Sequence, residues 1–162
     1  MICGIDPGLS GGIAFIEKDI VCSVEAVPVH KIKEGKSVKR YLDCFTILHL
    51  LHTYNPQHVF IEKQQAMPRQ GVSSTFRTGF GYGLYIGMLI AGDYDYTIVG
   101  AKEWKQYFNL SSDKDLSREK ASVIFPDASH LWRQKNQDGL AEAALIAYFG
   151  ANGSQVLSSL QQ

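Results

Sequence analysis

The sequence has few of the features that mark membrane, secreted or strongly charged proteins. Its 162 residues include only three cysteines, with no C-x-x-C pair, so neither a disulfide framework nor a cysteine-rich zinc site is indicated. No apolar run approaches the ~18 residues that predict a membrane-spanning helix, and no secretory signal precedes the first strand. The 16 basic and 16 acidic residues balance, which argues against nucleic-acid binding by bulk charge. We therefore expect a cytoplasmic protein that does not bind membranes.

The composition is that of an ordinary globular domain. Hydrophobic residues make up 45% of the chain and charged residues 20%, and a chain of this length can bury one sizeable core. Neither an internal repeat nor a linker interrupts the sequence. We predict a single domain over residues 1–150, followed by a tail over 151–162.

Hydrophobic periodicity predicts an α/β fold. Three strands come first, then helices and strands alternate, which indicates one five-stranded mixed sheet with three antiparallel strands, then two parallel ones, flanked by helices. The predicted strands cover 1–6, 12–17, 20–29, 58–62 and 94–99. The predicted helices cover 37–55, 72–91, 101–108, 117–125 and 138–149. Residues 30–36 are predicted to be a basic loop. Ser37 and Ser117 are predicted to cap the helices that follow them, Ser73 or Ser74 to cap the helix at 72–91, and Gly150 to close the last helix.

Four acidic residues stand in positions that suggest a shared site. Asp6 and Glu62 each end a nearly continuous apolar strand, where a carboxylate is costly without a partner. Asp138 and Glu142 are four residues apart, which places both on one face of the last predicted helix. Hard oxygen ligands of this kind suit Mg²⁺ or Mn²⁺. Two such ions can activate a water and stabilise the leaving oxygen in phosphodiester cleavage.

The turn after Asp6 is open to a second interpretation. Its sequence is P-G-L-S-G-G, and glycines allow both a tight turn and the close approach of a ligand. A phosphate-binding turn of an actin-like ATPase or sugar kinase, holding Mg-ATP, would fit this stretch alone. Such proteins are normally longer, and no second phosphate loop is visible.

Several segments together resemble RuvC-type Holliday junction resolvases, particularly the short RuvC-like proteins of phages. The similar segments are I-D-P-G-x-S-G-G-I-A, F-I-E-K-x-x-A-M-P-x-Q-G-V-S-S-T-F, W-K and D-G-x-A-E-A-A-L-I-A-Y, which span Ile5 to Tyr148. The resemblance implies an RNase H-like fold, a homodimer and paired Mg²⁺-dependent nicks across a four-way DNA junction, in a bacterial or phage-infected cell. It places the catalytic, metal-binding acids at Asp6, Glu62, Asp138 and Glu142. The sequence departs from the bacterial enzymes at the last pair, where two aspartates three residues apart are usual.

The resemblance also implies where DNA binds. The segment after Glu62 should border the metal site and enter the junction, with arginines on phosphates and an apolar wedge against bases. The DNA-binding candidates are Met67, Arg69, Gln70, Ser73, Ser74, Arg77 and Lys135. Phe76 and Trp104 are expected to pack in the core, and the glycines after Asp6 to keep side chains away from the DNA backbone. A non-catalytic junction-binding protein of the same fold remains an alternative.

Overall fold

The computed structural model describes residues 1–111 and 113–153, except for the side chains of Glu34 and Lys114. The strands are β1 (Ile2–Asp6), β2 (Gly12–Glu17), β3 (Ile20–Ala26), β4 (Val29–Glu34), β5 (Ser37–Leu42), β6 (His58–Glu62) and β7 (Tyr96–Val99). The α-helices are α1 (Cys44–Tyr54), α2 (Val72–Ala91), α3 (Ala101–Tyr107), α4 (Lys114–Ile124) and α5 (Asp138–Asn152). Two 3-10 helices, Pro126–Trp132 and Lys135–Gln137, connect α4 to α5. No helix among these residues has the length and hydropathy needed to cross a bilayer.

The predicted mixed sheet is confirmed. Five strands lie in the order β3-β2-β1-β6-β7. The first three strands of the chain pair antiparallel, whereas β6 and β7 run parallel to β1. Because the carboxyl ends of the parallel strands meet at one edge, residues that follow β1 and β6 are neighbours in space.

Helices cover both faces of the sheet. One face carries α5, with α3 and α4 packed around it, and its core includes Phe60, Trp104 and Trp132. The opposite face carries α1 and α2, which bury Ile47 and Tyr85 against it. Alternate residues of each strand therefore face different cores, as the two-residue period of a strand requires.

Helix α5 lies directly on β1 because the contact residues are small. A side chain at Gly4 would collide with the backbone of Ala143 and Ala147. The helix also continues past Gly150, so the prediction that this glycine ends it was wrong. Gly150 lies against the ring of Phe60, where a Cβ atom would overlap the ring, and its role is therefore close packing. Residues 154–162 lie outside the described residues, so the predicted division between domain and tail stays a prediction.

The predicted basic loop over 30–36 and the predicted helix start at Ser37 were both wrong. Residues 29–42 form a β-hairpin instead, with β4 and β5 paired from Val29↔Leu42 to Glu34↔Ser37. The two-residue turn contains Gly35 at a φ of 60°, a left-handed conformation that glycine adopts at little cost. The helix begins only at Cys44, after Asp43, whose carboxylate accepts hydrogen bonds from the backbone N–H (3.1 Å) and the hydroxyl (2.7 Å) of Thr46.

Two other predicted helix caps were also wrong. Ser117 lies inside α4, one turn beyond its start, because Asp113 accepts the capping hydrogen bond from Asp115 N. Ser73 and Ser74 lie in the first turn of α2, which begins after Gly71 without a side-chain cap. In both cases the helix starts earlier than its nearest serine.

Candidate active site at the carboxyl edge of the sheet

Asp6 and Glu62 lie side by side at the ends of neighbouring parallel strands. Ile5 pairs with Ile61, so the two acids follow in register on strands that are about 4.8 Å apart. Asp6 is two residues after Gly4 and Glu62 is two residues after Phe60. Both acids consequently point to the face of the sheet that α5 covers.

The two acids of α5 approach the same edge of the sheet from above. Asp138 and Glu142 are 8% and 7% exposed and lie one turn apart. The start of the helix is tied to the turn after Asp6, because Gly11 and Gly139 form a parallel β-bridge. The four acids predicted from the sequence therefore lie at one end of the molecule, between α5 and the ends of β1 and β6. Their catalytic and metal-binding roles stay predictions.

Two of the glycines after Asp6, Gly11 and Gly12, have a different role from the one expected. A Cβ at Gly12 would lie 2.6 Å from the Gly139 carbonyl oxygen, and a Cβ at Gly139 would lie 2.5 Å from Gly11 Cα. Protein atoms already fill the space beside Gly11 and Gly12, so these glycines admit the start of α5 and neither DNA nor a nucleotide.

Donors from α3 and α4 contact two of the acids. Trp104 Nε1 donates a hydrogen bond of 2.7 Å to Glu62 Oε2. Glu142 Oε1 accepts a hydrogen bond of 3.1 Å from the Ser117 hydroxyl and lies 3.2 Å from Lys105 Nζ. Trp104 and Lys105 are consecutive, so α3 contacts an acid of the sheet and an acid of α5 at once.

These supporting residues were mostly missed from the sequence. Trp104 is fully buried, as expected of a core residue, but its indole N–H also holds a site carboxylate. The W-K segment carries that signal, since a buried tryptophan usually finds a partner for its N–H. Ser117 gave no such signal, because an N-terminal serine of an amphipathic helix is normally a cap.

Asp6 lies near a buried tyrosine from the opposite face. The hydroxyl of Tyr85 has no hydrogen-bond partner within the described residues. Burial, and secondarily the negative charge of Asp6, raise the pKa of Tyr85. Asp6 itself is contacted by the Gly8 backbone N–H, at 3.4 Å from Oδ1.

The four acids of this edge match a hard divalent cation in the chemistry of their donor atoms. All four side chains are carboxylates, the donors that Mg²⁺ and Mn²⁺ prefer. Within residues 1–111 and 113–153, no three acids, histidines or cysteines are close enough together to form a ligand cluster. Instead, the Trp104 and Ser117 donors and the Lys105 ammonium compensate the charge of Glu62 and Glu142.

The predicted DNA-binding residues lie around this edge, mostly on the surface. Met67 is 61% exposed, and Arg69 has a left-handed backbone with a φ of 64°. Gln70 organises the loop, since its Oε1 accepts from Met67 N and its Nε2 donates to Ser74 Oγ and Thr78 Oγ1.

The remaining DNA-binding candidates begin helices near the acids. Ser73 and Arg77 are exposed on the first turns of α2, where Arg77 Nε donates to the Ser73 carbonyl. Lys135 is exposed three residues before Asp138. The expectation that Phe76 packs in the core was wrong, because it is 71% exposed and stacks on its helix neighbour Phe80.

Comparison with solved structures identifies the fold. RuvC of Thermus thermophilus, in complex with a Holliday junction substrate, superposes with a TM-score of 0.64 at 18% identity, covering 94% of this chain and 96% of that one. The fold is that of the RuvC-type resolvases. The yeast mitochondrial Holliday junction resolvase shares this RuvC-type fold with a TM-score of 0.56 at 19% identity, over 91% of this chain and 75% of its own. The fowlpox virus Holliday junction resolvase follows with a TM-score of 0.54 at 17% identity, over 98% of both chains.

The likeness is confined to structure. No protein-family model matches the sequence, and no curated protein matches it either. At identities below 20%, the RuvC-type fold is established, and the activity has to be argued from the site itself.

Proposed function

We propose that this protein is a structure-selective endodeoxyribonuclease that nicks four-way or other branched DNA with the help of Mg²⁺. The observation that carries the proposal is the placement of Asp6, Glu62, Asp138 and Glu142 at one edge of a RuvC-type fold, on the face covered by α5. These four carboxylates would hold two Mg²⁺ ions, for which Mn²⁺ could substitute. Such ions supply an activated water and stabilise the leaving oxygen of the cleaved phosphodiester.

The residues around the acids have separable tasks. Trp104 and Ser117 fix the orientation of one oxygen each on Glu62 and Glu142, and such supporting donors typically account for about 10–100-fold in metal affinity or activity. Lys105 compensates the charge of Glu142 until a cation arrives. Arg69, Arg77 and Lys135 surround the site with positive charge suited to phosphates, whereas Met67 is an exposed apolar wedge.

A homodimer would supply the two active sites that paired nicks require. Helix α2 has an apolar stripe formed by Val72, Phe76 and Ile90, which are 62–87% exposed. Gly79, Gly83 and Gly87 lie along this stripe with no atom near their missing side chains, so a second helix could approach closely. Replacing Phe76 with Glu should convert the dimer to a monomer in sedimentation analysis, and an unchanged mass would argue against this interface.

The proposal is tested by nicking assays on four-way junctions, flaps, forks and linear duplexes, with Mg²⁺ or with EDTA. We expect cleavage of branched DNA that needs the cation. Asp6→Asn and Glu62→Gln should abolish nicking and still bind the junction. Full cleavage by either variant would contradict the site assignment, and junction binding without any nicking by the natural chain would favour a non-catalytic protein.

A further inference from the structure

A cavity of about 510 Å³ opens directly beside the acid site. Its walls come from the turn after Asp6, from strand β5 and from helix α2. Pro7 and Gly8 on one wall follow Asp6, and Gln64 on another follows Glu62 by two residues. A ligand whose phosphate lay among the acids could therefore place an adjoining group in the cavity.

The lining suits a nucleotide. Tyr41 and Phe80 contribute aromatic rings, while Arg40 and Arg77 contribute positive charge, and none of the described lining residues is acidic. The volume falls within the roughly 300–1,000 Å³ of typical small-ligand sites. Aromatic rings beside cationic side chains are the combination that binds single-stranded nucleic acid, by stacking of bases and attraction of phosphates.

The polar wall could distinguish between bases. The hydroxyls of Ser74 and Thr78 line the cavity, and each accepts a hydrogen bond from Gln70 Nε2, at 3.1 and 3.3 Å. Each hydroxyl can in turn donate to the edge of a base, and the side chain of Gln64 can both donate and accept. These groups belong to α2 and to the segment after β6, whereas Tyr41 belongs to the hairpin of β4 and β5.

Arg40 connects the hairpin of β4 and β5 to the turn that follows Asp6. Its guanidinium lies 3.4 Å from the Leu9 carbonyl oxygen and 3.3 Å from Ser10 Oγ. Lys39 lines the groove that continues from the cavity along α2, so positive charge extends outward from the cavity mouth.

We propose that this cavity holds one unstacked base of the DNA next to the scissile phosphate. The occupant is a nucleotide of a locally single-stranded region, with its base against Tyr41 and its phosphate near Arg40 and Arg77. This inference rests on the proposed function and adds a requirement that the substrate expose an unpaired base. Intact linear duplex would then be a poor substrate, because its bases are stacked and paired.

The test measures binding in EDTA, where no cleavage can occur. The probes are a fluorescently labelled single strand of about five nucleotides and the same strand lacking its bases, compared by fluorescence anisotropy. The natural chain should bind the strand with bases about tenfold more tightly, as expected for one stacked base. Tyr41→Leu should remove that preference and Tyr41→Phe should retain it.

Two further variants separate stacking from charge. Arg77→Ala should weaken binding of both strands to a similar extent, because its contact is with phosphate. Phe45 of α1 provides the control, because it is 84% exposed and does not line the cavity. Phe45→Ala should leave both affinities unchanged. Equal affinity of the natural chain for the two strands, or a preserved base preference in Tyr41→Leu, would overturn the inference.

The outcomes distinguish this inference from the proposed function. A base preference in EDTA without nicking of any branched DNA would retain the cavity as a nucleotide site and refute the nuclease. Mg²⁺-dependent nicking without a base preference would retain the nuclease and refute the cavity.

Discussion

The hydrogen bond from Trp104 to Glu62 provides a sensitive test of the site. Trp104→Phe keeps an aromatic ring in the core but removes the N–H that donates over 2.7 Å to Glu62 Oε2. Hydrogen bonds to ionised groups contribute about 1.5–3 kcal/mol, which corresponds to about 10–150-fold in a rate or binding constant if all of it orients the carboxylate. We expect the nicking rate at limiting Mg²⁺ to fall by roughly 10–100-fold.

The chain offers a matched control for this substitution. Trp132 is also buried, and its indole N–H donates over 3.0 Å to the Ser122 hydroxyl, away from the four acids. Trp132→Phe therefore loses the same group and volume but only a neutral hydrogen bond, worth about 0.5–1.5 kcal/mol.

The assay combines initial nicking rates on a four-way junction over a range of Mg²⁺ concentrations with urea unfolding of both variants. Trp132→Phe should lose stability and retain its rate, whereas Trp104→Phe should lose rate and recover part of it at high Mg²⁺. If the two variants had equal rates after correction for the folded fraction, Trp104 would be only a core residue.

Three more predictions follow from single contacts. Lys105→Met should lower the free energy of unfolding by about 1–3 kcal/mol, which lies between the values for exposed and buried ion pairs. Added Mg²⁺ should restore part of the lost stability by neutralising Glu142, and urea unfolding would measure both effects. Gly139→Ala should lower both Tm and nicking, since its Cβ would lie 2.5 Å from Gly11 Cα. The hydrogen bonds from Thr46 hold the pKa of Asp43 below its usual range. The ionised Asp43 carboxylate therefore stabilises the folded protein fully at any pH above the ordinary carboxyl pKa. This stabilisation is lost as the pH falls through the lowered pKa of Asp43 in the folded protein. Asp43→Ala should accordingly lower Tm at neutral pH, with the difference narrowing in acid, as thermal melts at several pH values would show.

Each of these has a control or a contrary outcome. Lys102 is exposed on the same helix as Lys105, so Lys102→Met should change stability little and respond to Mg²⁺ like the natural chain. Gly71 has open space around its missing side chain, and Gly71→Ala should lower Tm much less than Gly139→Ala. A Tm difference for Asp43→Ala that stayed constant down to about pH 2 would show that the carboxylate charge is not what stabilises the helix start.

The sheet and the acids were predictable because their signals are local. Strands β1 and β6 are short apolar runs that end on an acid, and the four-residue spacing of Asp138 and Glu142 defines one helix face. Parallel pairing then brings the strand ends together without further information. The predicted order of three antiparallel and two parallel strands follows from the same alternation of elements.

The hairpin at β4 and β5 was missed because its signal conflicts with a stronger one. Val38, Tyr41, Leu42 and Phe45 recur at three- and four-residue steps, which mimics a helix, whereas the deciding feature is the left-handed Gly35 in a two-residue turn. The apolar spacing continues without a break from β5 into α1. Asp43, which caps α1, is the residue that marks the boundary between them.

The side chains that contact the acids were missed for a different reason. The contacts of Trp104, Lys105 and Ser117 with acids 25–42 residues distant depend on how α3 and α4 pack against α5. Helix packing is set by many side chains together, so no short pattern predicts it. The filled space beside Gly11, Gly12 and Gly139 likewise becomes visible only when α5 is in place.

Counting bound Mn²⁺ by electron paramagnetic resonance tests most directly whether the four carboxylates form one cation site. The natural chain and the single variants Asp6→Asn, Glu62→Gln, Asp138→Asn and Glu142→Gln would be titrated under the same conditions, with folding checked by circular dichroism. We expect two ions per chain in the natural protein and weakened or lost binding in every variant, whichever element carries the altered acid. Unchanged binding in the folded variants of both β1 and α5 would contradict a shared site.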